Sequence, residues 1–143
     1  MMSFLIVDPA IDKSKLMKIC LVHDLAEAVV GDITPYDGIS DEEKRSREER
    51  SLREMVDNIG CAAIGDEIFS LWMEYETQST AEAVIAKQLD KLEMIVQADE
   101  YEKEHKQLLD SFFESTKNSF SHAEVLSWAN YLREQRAIRI NAL

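Results

Sequence analysis

An all-α fold is what this sequence predicts, on three observations. Only four glycines and two prolines punctuate 143 residues, too few for the tight turns that a succession of short strands needs. The long stretches between them are dominated by Leu, Ala, Glu, Lys, Met and Gln, the residues that lose least on entering a helix. Three Ser-x-x-Glu patterns, at Ser40–Glu43, Ser79–Glu82 and Ser121–Glu124, stand before helix-like runs as capping boxes. The expectation is a single domain over 1–143, built as a bundle of about six helices.

The elements follow in chain order. Residues 1–7, Met-Met-Ser-Phe-Leu-Ile-Val, are apolar but too short for a membrane span and lack a basic flank, so they read as the tail end of a helix. Asp8-Pro9-Ala10-Ile11-Asp12 is a turn. Asp12 or Ser14 then caps a helix predicted to run to about Val30, with Leu16, Ile19, Cys20, His23 and Glu27 near one face and Gly31 ending it. The loop over 32–38, Asp-Ile-Thr-Pro-Tyr-Asp-Gly, is rich in turn residues and carries two carboxylates, the composition of a functional loop.

The Ser40 box opens a helix to about Asn58. Asp41 with Arg45, Glu43 with Arg47 and Glu49 with Arg53 are i,i+4 pairs of the favourable orientation, so this helix is read as solvated, with Leu52, Met55, Val56 and Ile59 as its inward edge. A helix over 64–75 follows, striped by Ile68, Leu71 and Trp72. The Ser79 box starts a long helix to about Tyr101 whose positions Val84, Ile85, Leu89, Leu92, Ile95 and Val96 make it central to the core. The last helix runs from the Ser121 box through Leu132. Trp72, Tyr75, Trp128 and Tyr131 are expected in the core.

A net charge of −12 excludes a surface that tracks a nucleic-acid polymer, because phosphate backbones are held by clustered Lys and Arg. A small anion remains open to the chain if a cation or a few local bases offset the field. No stretch reaches the length of a membrane span. Cys20 and Cys61 form no CxxC or paired framework; both are read as core thiols of a reducing compartment, and the expected localisation is cytoplasmic.

Chemistry concentrates in Leu-Val-His23-Asp24-Leu-Ala-Glu27-Ala-Val-Val-Gly-Asp32, which sets ionisable groups inside an apolar helical run. An unpartnered buried carboxylate costs several kcal/mol, so a bound cation explains the segment economically. His23 and Glu27, four residues apart, project from one helix face, with Asp24 adjacent. The bland alternative is a polar pair at a helix edge. Asp90 carries the same two readings, a surface partner of Lys87 or Lys91, or a ligand. Histidine plus carboxylates from two helices suits Mn, Fe, Co, Ni or Zn. His105 and His122 sit in a late polar region and read as surface or structural.

These residues together resemble the HD-domain phosphohydrolase superfamily, whose pattern is a His, then a His-Asp pair, then a distant Asp around one divalent metal. Within it the segment from His23 to Pro35 is similar to the 5'-deoxynucleotidase branch. So are Glu74-Tyr75-Glu76-Thr77-Gln78-Ser79-Thr80-Ala81-Glu82, Lys87-Gln88-Leu89-Asp90-Lys91-Leu92-Glu93-Met94 and Gln97-Ala98-Asp99-Glu100-Tyr101-Glu102.

The resemblance implies an HD-domain helical bundle in which His23, Asp24 and Asp90 are metal ligands and Glu27 is the catalytic carboxylate. Asp32 either contacts the sugar hydroxyl or helps hold a second metal with Glu27 and the backbone carbonyl of Ile33. The implied cofactor is a divalent metal (Mn, Co, Mg, Fe or Zn). The implied substrate is a deoxyribonucleoside 5'-monophosphate, with Lys87 and Lys91 placed to help tolerate its phosphate. The implied assembly is a homodimer. In the family a first His ligand lies on a helix before residues that resemble 1–7 here, so the chain is expected to lack the family's N-terminal helix or helices and to hold metal through three ligands. Two other functions stay open at this point: a catalytically inactive helical module that binds a nucleotide or a partner, and a phosphohydrolase of another nucleotide phosphoester.

Overall fold

The computed structural model describes residues 1–34 and 37–141, and all of their regular structure is helical. Pro35 and Tyr36, in the turn-rich loop, lie outside the described residues. A 3-10 turn over Met2–Leu5 comes first. Seven α-helices follow: α1 Lys13–Val22, α2 Glu27–Val30, α3 Asp41–Asp57, α4 Ala62–Thr77, α5 Ala81–His105, α6 Asp110–Ser115 and α7 Ala123–Asn141.

Capping chemistry sets most of the starts. The Asp12 carboxylate accepts from the amides of Ser14 and Lys15, fixing the first turn of α1. Ser40 Oγ accepts from the Glu43 amide at 3.2 Å, as its box predicts, while the Glu43 carboxylate turns outward to Arg47. The other two boxes do not close as expected. At α5 the cap is Thr80, one residue later than predicted, and Glu82 instead accepts from the Asp12 amide at 3.1 Å. Ahead of α7 the Ser121 amide donates to Gln88 at 2.7 Å and Glu124 accepts from the Val7 amide. In both places a contact distant in sequence claims the carboxylate that a local box would use.

The helix predicted over 12–30 is interrupted. From Val22 to Val29 the chain tightens: the amides of Leu25, Glu27, Ala28 and Val29 each bond to the carbonyl three residues back. One cause is local, since the Cys20 carbonyl accepts from His23 Nδ1 at 2.9 Å, a side-chain bond that competes with the helical ladder. Gly31 then ends α2 with φ at +77°, a conformation that side-chain-bearing residues rarely adopt. The His-Asp pair therefore sits in a tight turn between two helices.

α5 is the spine. It packs against α1, α4, α6 and α7, and Ala83, Ile85, Ala86, Leu89, Leu92, Ile95 and Ala98 are buried along it. Leu16 and Ile19 of α1, Leu71 and Tyr75 of α4, Phe113 of α6 and Val125 and Ala129 of α7 complete that core. A second cluster joins Ala26, Leu52 and Trp72, so it ties the turn before α2 to α3 and α4. Four core expectations fail: Val84, Ile59, Tyr131 and Cys61 are exposed. Ile59 falls in the turn after α3, whose last helical residue is Asp57, so it no longer shares the inward edge of that helix. α5 also runs four residues beyond Tyr101 and α7 well beyond Leu132, because tertiary ion pairs hold their polar ends.

Those pairs form one buried knot. The Glu102 carboxylate accepts from the Leu109 amide, from Arg136 at 2.7 and 2.9 Å and from Arg139 at 2.9 Å. Arg133 meanwhile donates to the Phe113 carbonyl and to Thr116 Oγ1. The knot pins the end of α5, the short α6 and α7 together.

Candidate active site

The turn between α1 and α2, the first part of α3, the end of α4 and the middle of α5 enclose a cavity of about 650 Å³. The size falls within the range of small-molecule sites. His23, Asp24, Glu27, Asp32, Lys87, Asp90 and Lys91 all line it, so the structure gathers nearly every side chain singled out in the sequence. Ile33 does not line it. His105 is exposed and stacks on Tyr101, and His122 Nε2 faces Asp8 at 3.3 Å; neither belongs to the cavity.

His23 is held from three sides. A carbonyl only accepts, so the 2.9 Å contact with the Cys20 carbonyl puts the proton on Nδ1. Nε2 is left facing Asp24 Oδ2 at 3.1 Å, and the ring lies 4.8 Å from that of Tyr75. Burial opposes charge on the imidazole. The Asp24 hydrogen bond and the negative fields of Asp24 and Asp90 outweigh it and hold the His23 pKa above its ordinary value. The same hydrogen bond holds the Asp24 carboxyl below the usual range, against its own partial burial.

Glu27 is half-buried, and its pKa is pushed up by burial first and by the neighbouring charges of Asp24 and Asp32 second. Asp90 reaches the cavity from α5, where Oδ2 accepts from the Tyr75 hydroxyl at 3.2 Å and lies 4.0 Å from Lys87 Nζ. Lys87 also donates to the Tyr75 hydroxyl at 3.1 Å and sits over that ring. Lys87 thus serves the site's own residues, with a partly exposed ammonium still at the cavity.

Sequence reasoning missed α3's contribution. Glu48, read as part of a solvated helix, is buried in the cavity wall, and burial raises its pKa against the pull of Lys44. Lys44 Nζ donates to the Ile33 carbonyl at 2.9 Å and lies 3.6 Å from Glu48. A signal was present: Lys44, Glu48 and Leu52 are spaced by four, so they share the face that Leu52 buries. Arg45 and Glu76 line the cavity as well.

One imidazole nitrogen with carboxylates from two elements is the donor chemistry that divalent ions of the first transition row accept, so the residues fit such an ion in kind. Among the described residues, no three His, Cys, Asp or Glu side chains converge as a ready cage. The donors are instead matched to protein partners, His23 to Asp24 and Asp90 to Tyr75 and Lys87.

Comparison with known proteins gives the family of the chain. A family model described as HD domain matches residues 1–126. The chain is 49% identical over 146 residues to the Danio rerio protein named 5'-deoxynucleotidase HDDC2, covering 99% of this chain and 72% of that one. It is 43% identical over 143 residues to the Homo sapiens protein of the same name, covering 99% and 70%. The Saccharomyces cerevisiae 5'-deoxynucleotidase YGK1 is 37% identical over 146 residues, covering 99% and 67%. Among solved structures, HD domain-containing protein YGK1 superposes with a TM-score of 0.75 at 29% identity, over 96% of this chain and 71% of that one. With its helical bundle and its His-Asp pair facing a distant aspartate across one cavity, the chain belongs to the HD-domain family.

Proposed function

We propose that this chain is a metal-dependent 5'-deoxynucleotidase, hydrolysing deoxyribonucleoside 5'-monophosphates to deoxyribonucleosides and phosphate. The observation that carries the reading is the meeting of His23, Asp24, Glu27 and Asp90 in one cavity, in a chain 49% identical to a protein named for that activity. His23, Asp24 and Asp90 hold the divalent ion. Once bound, the ion supplies Lewis-acid charge for the phosphoryl oxygens and acidifies a water.

The chain's own groups do the rest. Glu27, with a carboxyl already raised by burial and by its acidic neighbours, accepts a proton as water adds to phosphorus. The bond from phosphorus to the 5'-oxygen breaks, and Glu27 returns a proton to that leaving oxygen. Lys44, Arg45, Lys87 and Lys91 line the cavity and offset the carboxylates that a phosphate dianion would otherwise meet. Asp32, exposed at the rim, either takes the sugar hydroxyl or shares a second cation with Glu27 and the Ile33 carbonyl.

The ion is drawn from Mn, Co, Mg, Fe and Zn. Both cysteines are free thiols, which favours a reducing, cytoplasmic setting. No described helix is long and apolar enough to cross a membrane. The family resemblance favours a homodimer.

The test is phosphate release from a panel of deoxynucleoside and nucleoside 5'-monophosphates and other phosphoesters, with Mn or Co added and with Asp90→Ala as control. Metal-dependent turnover of the deoxynucleotides that disappears in Asp90→Ala is the expected result. Turnover confined to other phosphoesters would reassign the substrate, and turnover indifferent to Asp90→Ala would remove it from the metal set.

A further inference from the structure

Tyr75 is the least conspicuous residue of the site, an aromatic at the end of α4 that sequence reading assigned to the core. It is buried, and only 4% of its surface is exposed. Burial alone would leave a phenol hydroxyl in need of a partner. Here the hydroxyl has two. It donates to Asp90 Oδ2 at 3.2 Å and accepts from Lys87 Nζ at 3.1 Å. An ammonium only donates, so the phenol proton is committed to the carboxylate. The ring of the same residue lies 4.8 Å from the His23 imidazole, tilted 58° to it, and the left-handed turn at Gln78 ends α4 three residues later.

Tyr75 therefore touches two of the three proposed ligands, one on each side of the cavity. His23 lies in the turn after α1 and Asp90 in the middle of α5, and they are 67 positions apart in the chain. A carboxylate that gives one oxygen to a hydroxyl presents the other in a defined direction, and an imidazole packed against a ring cannot swing freely. Partners of this kind commonly govern how tightly a ligand set holds its ion.

We infer that Tyr75 is a positioning residue that sets the Asp90 carboxylate and the His23 ring for cation binding, with Lys87 fixing the direction of its phenol proton. The inference rests on the ligand assignment proposed above. In this role its effect reaches the reaction only through those two side chains.

Tyr75→Phe separates the roles, because it keeps the ring, its burial and its packing on His23 while deleting the hydroxyl. The measurement is Mn2+ affinity of the 143-residue chain, followed by the resonance of the free ion, with the thermal midpoint of metal-free protein recorded alongside. Tyr75→Phe is expected to weaken Mn2+ binding by about 10- to 100-fold. Unchanged affinity in Tyr75→Phe, with binding lost in Asp90→Ala, would overturn this inference alone. Unchanged affinity in Asp90→Ala would overturn the ligand assignment beneath it. If Tyr75→Phe also lowers the metal-free midpoint, the Asp90→Asn and Tyr75→Phe/Asp90→Asn chains decide: a hydroxyl that acts through Asp90 gives strongly non-additive losses, and additive ones refute the role.

Discussion

The Lys44 ammonium donates to the backbone carbonyl of Ile33 at 2.9 Å, joining α3 to the loop that leaves α2. That carbonyl is the one which, with Glu27 and Asp32, is proposed as the seat of a second cation. Lys44 also stabilises the ionised forms of Asp24, Glu27 and Glu48. A fixed positive charge thus already sits against one of the three groups proposed to hold a second ion. Lys44→Met is expected to raise the affinity for a second equivalent of Mg2+, read by calorimetric titration. An unchanged second affinity would show that lysine and ion use different positions.

Glu27 faces the cavity beside the His-Asp pair but is proposed to act on protons. Glu27→Gln keeps the shape and removes the acid-base function, so kcat is expected to fall by about 10²- to 10⁴-fold. Affinity for the first Mn2+ ion should stay close to that of the parent chain. Equal losses in metal affinity and kcat would instead make Glu27 a ligand of that ion.

Glu102 provides the clearest dependence of stability on pH. Burial pushes its carboxyl up, but the bonds from Arg136, the Leu109 amide and Arg139 outweigh this and hold it at about 2, against an ordinary 4.5. A depressed folded-state pKa means its contribution is complete above about pH 4.5 and is lost as pH falls toward 2. Glu102→Gln removes the buried carboxylate that Arg136 and Arg139 share and leaves them paired only to Asp110 and Asp99, and is expected to cost about 1.5–3 kcal/mol at pH 7. Its chemical-denaturation stability should also fall less steeply than that of the parent chain between pH 4.5 and 2. Parallel pH profiles would show that Glu102 is not the titrating group.

Leu52 is fully buried against Ala26 and Trp72, and Ala26 lies in the turn that presents His23 and Glu27. Leu52→Ala is expected to destabilise the fold by about 2–5 kcal/mol, seen as a lower urea midpoint at unchanged slope. Because the cavity opens beneath the site, Mn2+ affinity should weaken too. Destabilisation without any change in ion affinity would show that the turn is held from elsewhere.

The helical class, the long central helix and the identity of the ligand candidates were legible in the sequence because each depends on local rules. Residue propensity, four-residue spacing and the appearance of His23, Asp24 and Asp90 in apolar register are properties of short windows. Asp12 and Ser40 cap their helices as read, since a cap reaches only two or three residues along the chain. The failures at the caps and at the end of α7 share one cause. Glu82 and Glu124, expected to fold back on their own helix starts, instead accept from the amides of Asp12 and Val7. Arg136 and Arg139 extend α7 by reaching back to α5.

The sequence by itself determined which residues can do chemistry and that the chain around them is helical. Only the tertiary structure decided that Lys44 and Glu48 of a charged helix are part of the cavity, and that Tyr75 joins His23 to Asp90. Those outcomes depend on which distant partner satisfies each buried polar group, a competition between contacts that no local window contains.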